Sequence, residues 1–86
     1  MKNEMANEMY IKLDSLEKVN KYINIANKLP VDLDILYGRY IVDGKSVMGI
    51  FGLDLSKNLL VKIRTHDAEM CDYVRQELKD FIVGGD

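Results

Sequence analysis

Gly44-Lys45-Ser46-Val47-Met48-Gly49-Ile50-Phe51-Gly52-Leu53-Asp54-Leu55-Ser56-Lys57-Asn58 is the stretch on which the rest of the chain turns. Ser46 stands just before a compact apolar run, the place of a helix N-cap, where its hydroxyl accepts a hydrogen bond from a first-turn amide that has no intrahelical partner. At about 3.6 residues per turn, Ile50 and Leu53 share one side of the helix, and Val47, Met48 and Phe51 share another. The first pair is expected to enter a core. The other three are expected to form a second apolar face, which at a surface signals docking. Gly49 and Gly52 each lower helix propensity by about 1 kcal/mol, so packing on a scaffold must hold this helix in place.

Upstream, Met9-Tyr10-Ile11-Lys12-Leu13 alternates as a strand does, with Met9, Ile11 and Leu13 on one face. Asp14, with Glu17 three residues on, resembles a capping box, and Ser15 is an alternative cap. The spacing predicts a helix from about Ser15 to Leu29. Leu16, Val19, Ile23 and Ala26 form its inner stripe, with Tyr22, Ile25 and Leu29 on the flank; Pro30 stops it. A second strand runs from Val31 to Tyr37. Gly38-Arg39 makes a two-residue turn of the type that needs glycine first, and Tyr40 to Asp43 returns. Past the central helix, Asp54 to Asn58 reads as a loop and Leu59 to Thr65 as a fourth strand. Asp67 caps a last helix, about Ala68 to Ile82, and Gly84-Gly85 marks its end. The order β-α-β-β-α-β-α predicts an α+β sandwich, an antiparallel sheet covered on one face by helices.

Gly44 to Lys57 resembles the second-helix region of HPr, the small phosphocarrier of the bacterial phosphoenolpyruvate:sugar phosphotransferase system. The resemblance runs without gaps back to Ala26-Asn27-Lys28, and more weakly forward, covering roughly residues 9–82. It is carried by Lys45-Ser46-Val47-Met48-Gly49 at its distance from the preceding hairpin. It implies an HPr-like open-faced sandwich, with three helices on one side of a four-stranded antiparallel sheet. In that family a histidine between the first strand and first helix carries phosphate, aided by helix-terminal amides and an arginine. The ungapped match places that histidine at Ser15, the arginine at Glu17 and the family's proline at Lys18. Serine without an adjacent base is a poor phosphoacceptor, and Glu17 repels a phosphoryl donor. The catalytic loop is therefore degenerate at Ser15 and Glu17, and no enzymatic activity is expected.

The resemblance also implies what is kept. In some members of the family a kinase phosphorylates the serine matching Ser46, and the product serves as corepressor for a catabolite control regulator. Phosphate there adds close to two negative charges at a helix N-terminus, with Lys45 beside it as a pairing cation. The expected function is thus that of a non-catalytic HPr-like regulatory or interaction protein. Its phosphorylation site is Ser46, and its partner-binding residues are Lys45, Val47, Met48 and Phe51. The partners expected are proteins: HPr kinase, a catabolite regulator or enzyme I-like proteins. The alternative is a genuine phosphocarrier with an unusual acceptor.

The remaining candidates carry less. His66, the single histidine, follows the fourth strand, which the resemblance to HPr implies runs antiparallel to the first and ends away from Ser15, and it reads as an exposed loop residue. One histidine also argues against catalytic zinc, and neither metal nor cofactor is expected. Gly44-Lys45-Ser46 looks like the tail of a P-loop, but Arg39 stands where that motif needs glycine. Asp32 and Asp34 read as solubilising charges, and Cys71 as packing on the last helix.

Composition agrees with a small protein-binding domain. Eighty-six residues make one domain, expected over 9–86 behind a flexible segment 1–8. Twelve basic and fourteen acidic side chains leave a net charge of −2, with no basic block to hold nucleic acid. No apolar run approaches a membrane span, and 1–8 lacks the apolar core of a signal peptide. The lone cysteine fits a reducing compartment, so a soluble cytoplasmic protein is expected.

Overall fold

A computed structural model describes residues 7–84. The elements are β1 (Glu8–Ile11), α1 (Leu16–Ala26), β2 (Leu33–Tyr37), β3 (Tyr40–Asp43), α2 (Val47–Phe51), β4 (Leu59–Ile63), α3 (Ala68–Glu77), a 3-10 turn (Lys79–Phe81) and β5 (Ile82–Val83). The sheet is antiparallel throughout, in the order β3-β2-β4-β1-β5. Alternation fixes which face is covered. Met9, Ile11, Leu33, Ile35, Leu59, Val61 and Ile63 are buried, and they share one hydrophobic cluster with Val19, Tyr22, Ala26, Ile50, Cys71, Val74, Leu78 and Phe81 from the helices and the 3-10 turn. The structure is α+β, with its three helices on one face of the sheet.

The sheet has five strands where four were expected. The last helix does not reach Ile82; it stops at Glu77 and passes through the 3-10 turn into β5. Ile82 and Val83 are β-branched and prefer an extended chain. The outer edge of β1 offers unpaired backbone groups. Ile82 pairs with Ile11, Val83 with Tyr10, and the Lys12 amide donates to the Phe81 carbonyl at 2.9 Å.

α1 also differs from expectation. Ser15, not Asp14, is its N-cap, and its hydroxyl accepts from the Lys18 amide at 3.1 Å. Asp14 instead forms an ion pair with Lys18 at 3.0 Å. Leu16, expected on the inner stripe, is 63 % exposed, whereas Tyr22, expected on the flank, is fully buried. The stripe is thus Val19, Tyr22 and Ala26, the spacing of three and four that keeps a helix face constant. The segment expected to be flexible, 1–8, falls mostly outside the described residues. Glu8, however, opens β1, and the Asn7 carbonyl accepts from the Ile63 amide at 2.7 Å.

The Gly38-Arg39 turn joins β2 to β3 with Tyr37 opposite Tyr40. Gly38 has φ +62° and Arg39 has no positive φ, so only the first turn position needs glycine. Gly44 meets a different constraint. A Cβ there would lie 2.8 Å from both Cβ and carbonyl oxygen of Leu33, because the Gly44 amide donates to that carbonyl at 2.7 Å. From the other side, the Tyr22 hydroxyl donates to the Gly44 carbonyl at 2.8 Å. The Tyr22 ring meets Phe81 edge to face, with centroids 6.0 Å apart.

Burial, reinforced by the negative charge of Asp43, pushes the Tyr22 phenol well above its ordinary value of 10.0. The unfolded chain releases this proton near that ordinary value and the folded chain does not. The group therefore leaves stability unchanged below about pH 10 and lowers it progressively above. Alkaline titration followed by phenolate absorbance should show one tyrosine withheld until the protein unfolds. Tyr22→Phe leaves the Gly44 carbonyl without its donor and is expected to cost about 1–3 kcal/mol in urea unfolding; it should also remove the alkaline dependence.

Candidate functional site

α2 is a five-residue helix, too short to persist alone. Four contacts fix it. Ile50 is fully buried in the common core. The Ser46 hydroxyl accepts from the Gly49 amide at 3.1 Å, capping the first turn. The Tyr37 hydroxyl accepts from the Asp54 amide at 3.1 Å, holding the exit. Finally, Gly49 lies against β3, where a Cβ would stand 2.8 Å from Cγ1 of Val42. The sequence shows Gly49 only as a loss of helix propensity. In the fold it lets α2 approach the sheet.

The outer side of this anchored helix carries the apolar side chains that the core leaves out. Val47 is 37 % exposed, Phe51 48 % and Met48 81 %. Leu53, on the inner side with Ile50, is half-buried and packs against the core. Lys45 is next to Ser46 in sequence, but its ammonium donates to the Leu29 carbonyl at 2.9 Å. Its amide donates to Asp43 Oδ1 at 2.9 Å. Lys45, expected from the sequence as a cation to pair with a phosphate on Ser46, therefore ties α2 to the C-terminal end of α1. That carbonyl lies just past the helix end, where a cation is favoured.

Ser15 and Glu17 lie at the opposite end of α1, about 16 Å away along an eleven-residue helix. Ser15 is committed to its cap, and Glu17 forms an ion pair with Lys21 at 3.3 Å. Both groups of this pair are largely exposed, so it contributes little to stability. The Asp14 carboxyl is lowered from its ordinary value, chiefly by its hydrogen bond to Lys18. The N-terminal turn of α1 thus presents caps and solvated ion pairs, with Leu16 exposed beside them.

His66 is exposed in the loop after β4. β4 is antiparallel to β1, and Lys62 pairs with Glu8 at the start of β1, so His66 is at the other end of the sheet from Ser15. Cys71 is buried on α3, and burial pushes its thiol up. Asp34 pairs with Arg64 at 2.8 Å on the uncovered face of the sheet, and Asp32 is exposed. Residues 40–43, in place of a phosphate cradle before Lys45, are β3. Among the described residues, no group of three or more His, Cys, Asp or Glu gathers to hold a metal ion, and no helix is long and apolar enough to cross a membrane.

The chain matches no family model, no curated protein and no solved structure. The likeness to HPr therefore rests on the residues quoted from the sequence.

The two sides of α2 should separate in mutagenesis. Ser46→Ala loses the cap and is expected to cost about 1 kcal/mol, whereas Met48→Ser, at an exposed position, should stay within about 0.5 kcal/mol of the parent. Urea titration of the two variants measures both.

Proposed function

We propose that this chain is an HPr-like regulatory or interaction protein that binds partner proteins through Val47, Met48 and Phe51. The observation that carries the reading is the apolar outer face of a capped five-residue helix whose inner side is anchored by Ile50. Large apolar side chains left in water on a rigid support are what a protein partner covers. An antiparallel sheet with three helices on one face supports the reading at the level of an α+β sandwich; the sheet has five strands where the resemblance implies four.

Control by phosphorylation of Ser46 belongs to the same proposal. An HPr kinase would transfer the γ-phosphoryl group of ATP. The Oγ–P bond forms as the bond to the bridging β–γ oxygen breaks, ADP leaves, and the hydroxyl proton passes to a base of the kinase. Close to two negative charges then stand next to Val47 and Met48. A catabolite regulator with a basic rim suits that surface, and an acidic one does not. Lys45 would then choose between the Leu29 carbonyl and a phosphate, and the charged acceptor is the stronger. The setting proposed is the bacterial cytoplasm, without enzymatic activity of the chain itself.

Intact-mass measurement after incubation with ATP and an HPr kinase, and separately with phosphoenolpyruvate and enzyme I, tests this. One phosphate gained only with ATP, and lost in Ser46→Ala, is the expected result. An acid-labile phosphate gained only with phosphoenolpyruvate would establish a phosphocarrier instead. No gain in either arm would remove the phosphorylation control and leave binding by the α2 face, to be measured with Met48→Asp against the regulator.

A further inference from the structure

The uncovered face of the sheet has its own pattern, independent of α2. The pairing register places Val83 opposite Tyr10, Tyr10 opposite Leu60, Leu60 opposite Leu36, and Leu36 opposite Ile41. Five apolar side chains, one from each strand, thus form a continuous row across the sheet. Ile41 is 67 % exposed, and the other four are half-buried. Tyr10, Leu60 and Val83 also line a shallow groove with Glu8.

Charged rows of different sign lie on either side. Toward Gly44 the register aligns Glu8, Lys62, Asp34 and Asp43. Lys62 and Arg64 leave this row net negative, since Arg64 is spent on Asp34. In the other direction, continuing the same register one step places Lys12 and Asn58 in line, while β2 and β3 have by then given way to the Gly38-Arg39 turn. Burial of Ile11 and Leu13 puts Lys12 between them on the uncovered face. This row carries only positive charge.

We propose that the uncovered face pairs with the same face of a second copy of this chain, the two copies related by a two-fold axis along the apolar row. Rotation about that row keeps each strand over its own counterpart and exchanges the charged rows. Lys12 of one copy then faces Glu8 of the other, a contact made twice by symmetry. A two-fold axis across the row instead sets Lys62 on Lys62 and Asp34 on Glu8, and is repelled. An anionic lipid surface meets favourable charge along one row only. The row spans about 19 Å between its outer strands, a patch smaller than that of a stable dimer, so the pair is weak and exchanging.

Sedimentation equilibrium of the full chain, from micromolar to millimolar concentration at low salt, tests the pairing. A monomer–dimer equilibrium is expected, abolished by Leu60→Lys. Lys12→Glu should weaken it roughly tenfold or more by setting two carboxylates face to face twice. The exchanged variant Lys12→Glu with Glu8→Lys should return the affinity to within about threefold of the parent. Circular dichroism and urea unfolding confirm that each variant is folded. A monomer at every concentration, a dimer indifferent to Leu60→Lys, or a charge exchange that fails to restore pairing in a folded protein would each overturn the proposal.

Discussion

The hydrogen bond from the Tyr22 hydroxyl to the Gly44 carbonyl joins the parts that local sequence cannot join. Tyr22 is the middle of the buried stripe of α1. Gly44 is the link between the central hairpin and α2, and its amide is already held by Leu33 of β2. The side chain closes the triangle of helix, strand and link. A side chain at Gly44 would break the strand contact, and a shorter residue at position 22 would leave the link without a donor. Lys45 extends the same junction through its ammonium to the end of α1. The short helix that follows thus begins from a point fixed on two elements. An exposed apolar face there can keep its direction without internal helix stability to support it.

Much of this was legible in the chain because the signals are local. Alternation in Met9 to Leu13 and Leu59 to Ile63 gives the buried face of the sheet. Ser46 and Asp67 mark the starts of their helices, and Ile50 and Met48 fall on opposite sides of theirs by periodicity alone. The misassignments have a common cause. Tyr22 looks like a flank residue because Leu16, Val19, Ile23 and Ala26 suggest the inner stripe by spacing, yet the partner of its hydroxyl is a backbone carbonyl twenty-two positions away. Ile82 continues the helical spacing of α3, but a free strand edge distant in sequence claims it together with Val83. Gly49 shows its cost in the sequence and its purpose only beside Val42. The apolar row of the uncovered face needs the register of four strand pairings before it can be seen.

Ser15 and Ser46 show how little a residue type says about a site. Each caps a helix, and each hydroxyl accepts from the amide three residues on, at 3.1 Å. Around Ser15 stand Asp14, Glu17 and Lys18, charged and paired into water. Around Ser46 stand Val47 and Met48, apolar and uncovered. Identical local chemistry thus serves a solvated turn in one place and borders a candidate binding face in the other. The difference comes from the neighbours that each short helix presents.

The position of β4 bears on how the chain is made. β4 is flanked by β1 and β2, and neither is its neighbour in sequence. During synthesis, α1 and the β2–β3 hairpin leave the ribosome while the inner edges of β1 and β2 still lack the strand that lies between them. Their unpaired backbone groups, and the apolar side chains Met9, Ile11, Leu33 and Ile35, must wait for Leu59 to Ile63. Closing loops of this length costs chain entropy before the central pairing repays it, and unpaired edges are open to aggregation in that interval. The nascent chain becomes a sheet only when its fourth strand arrives.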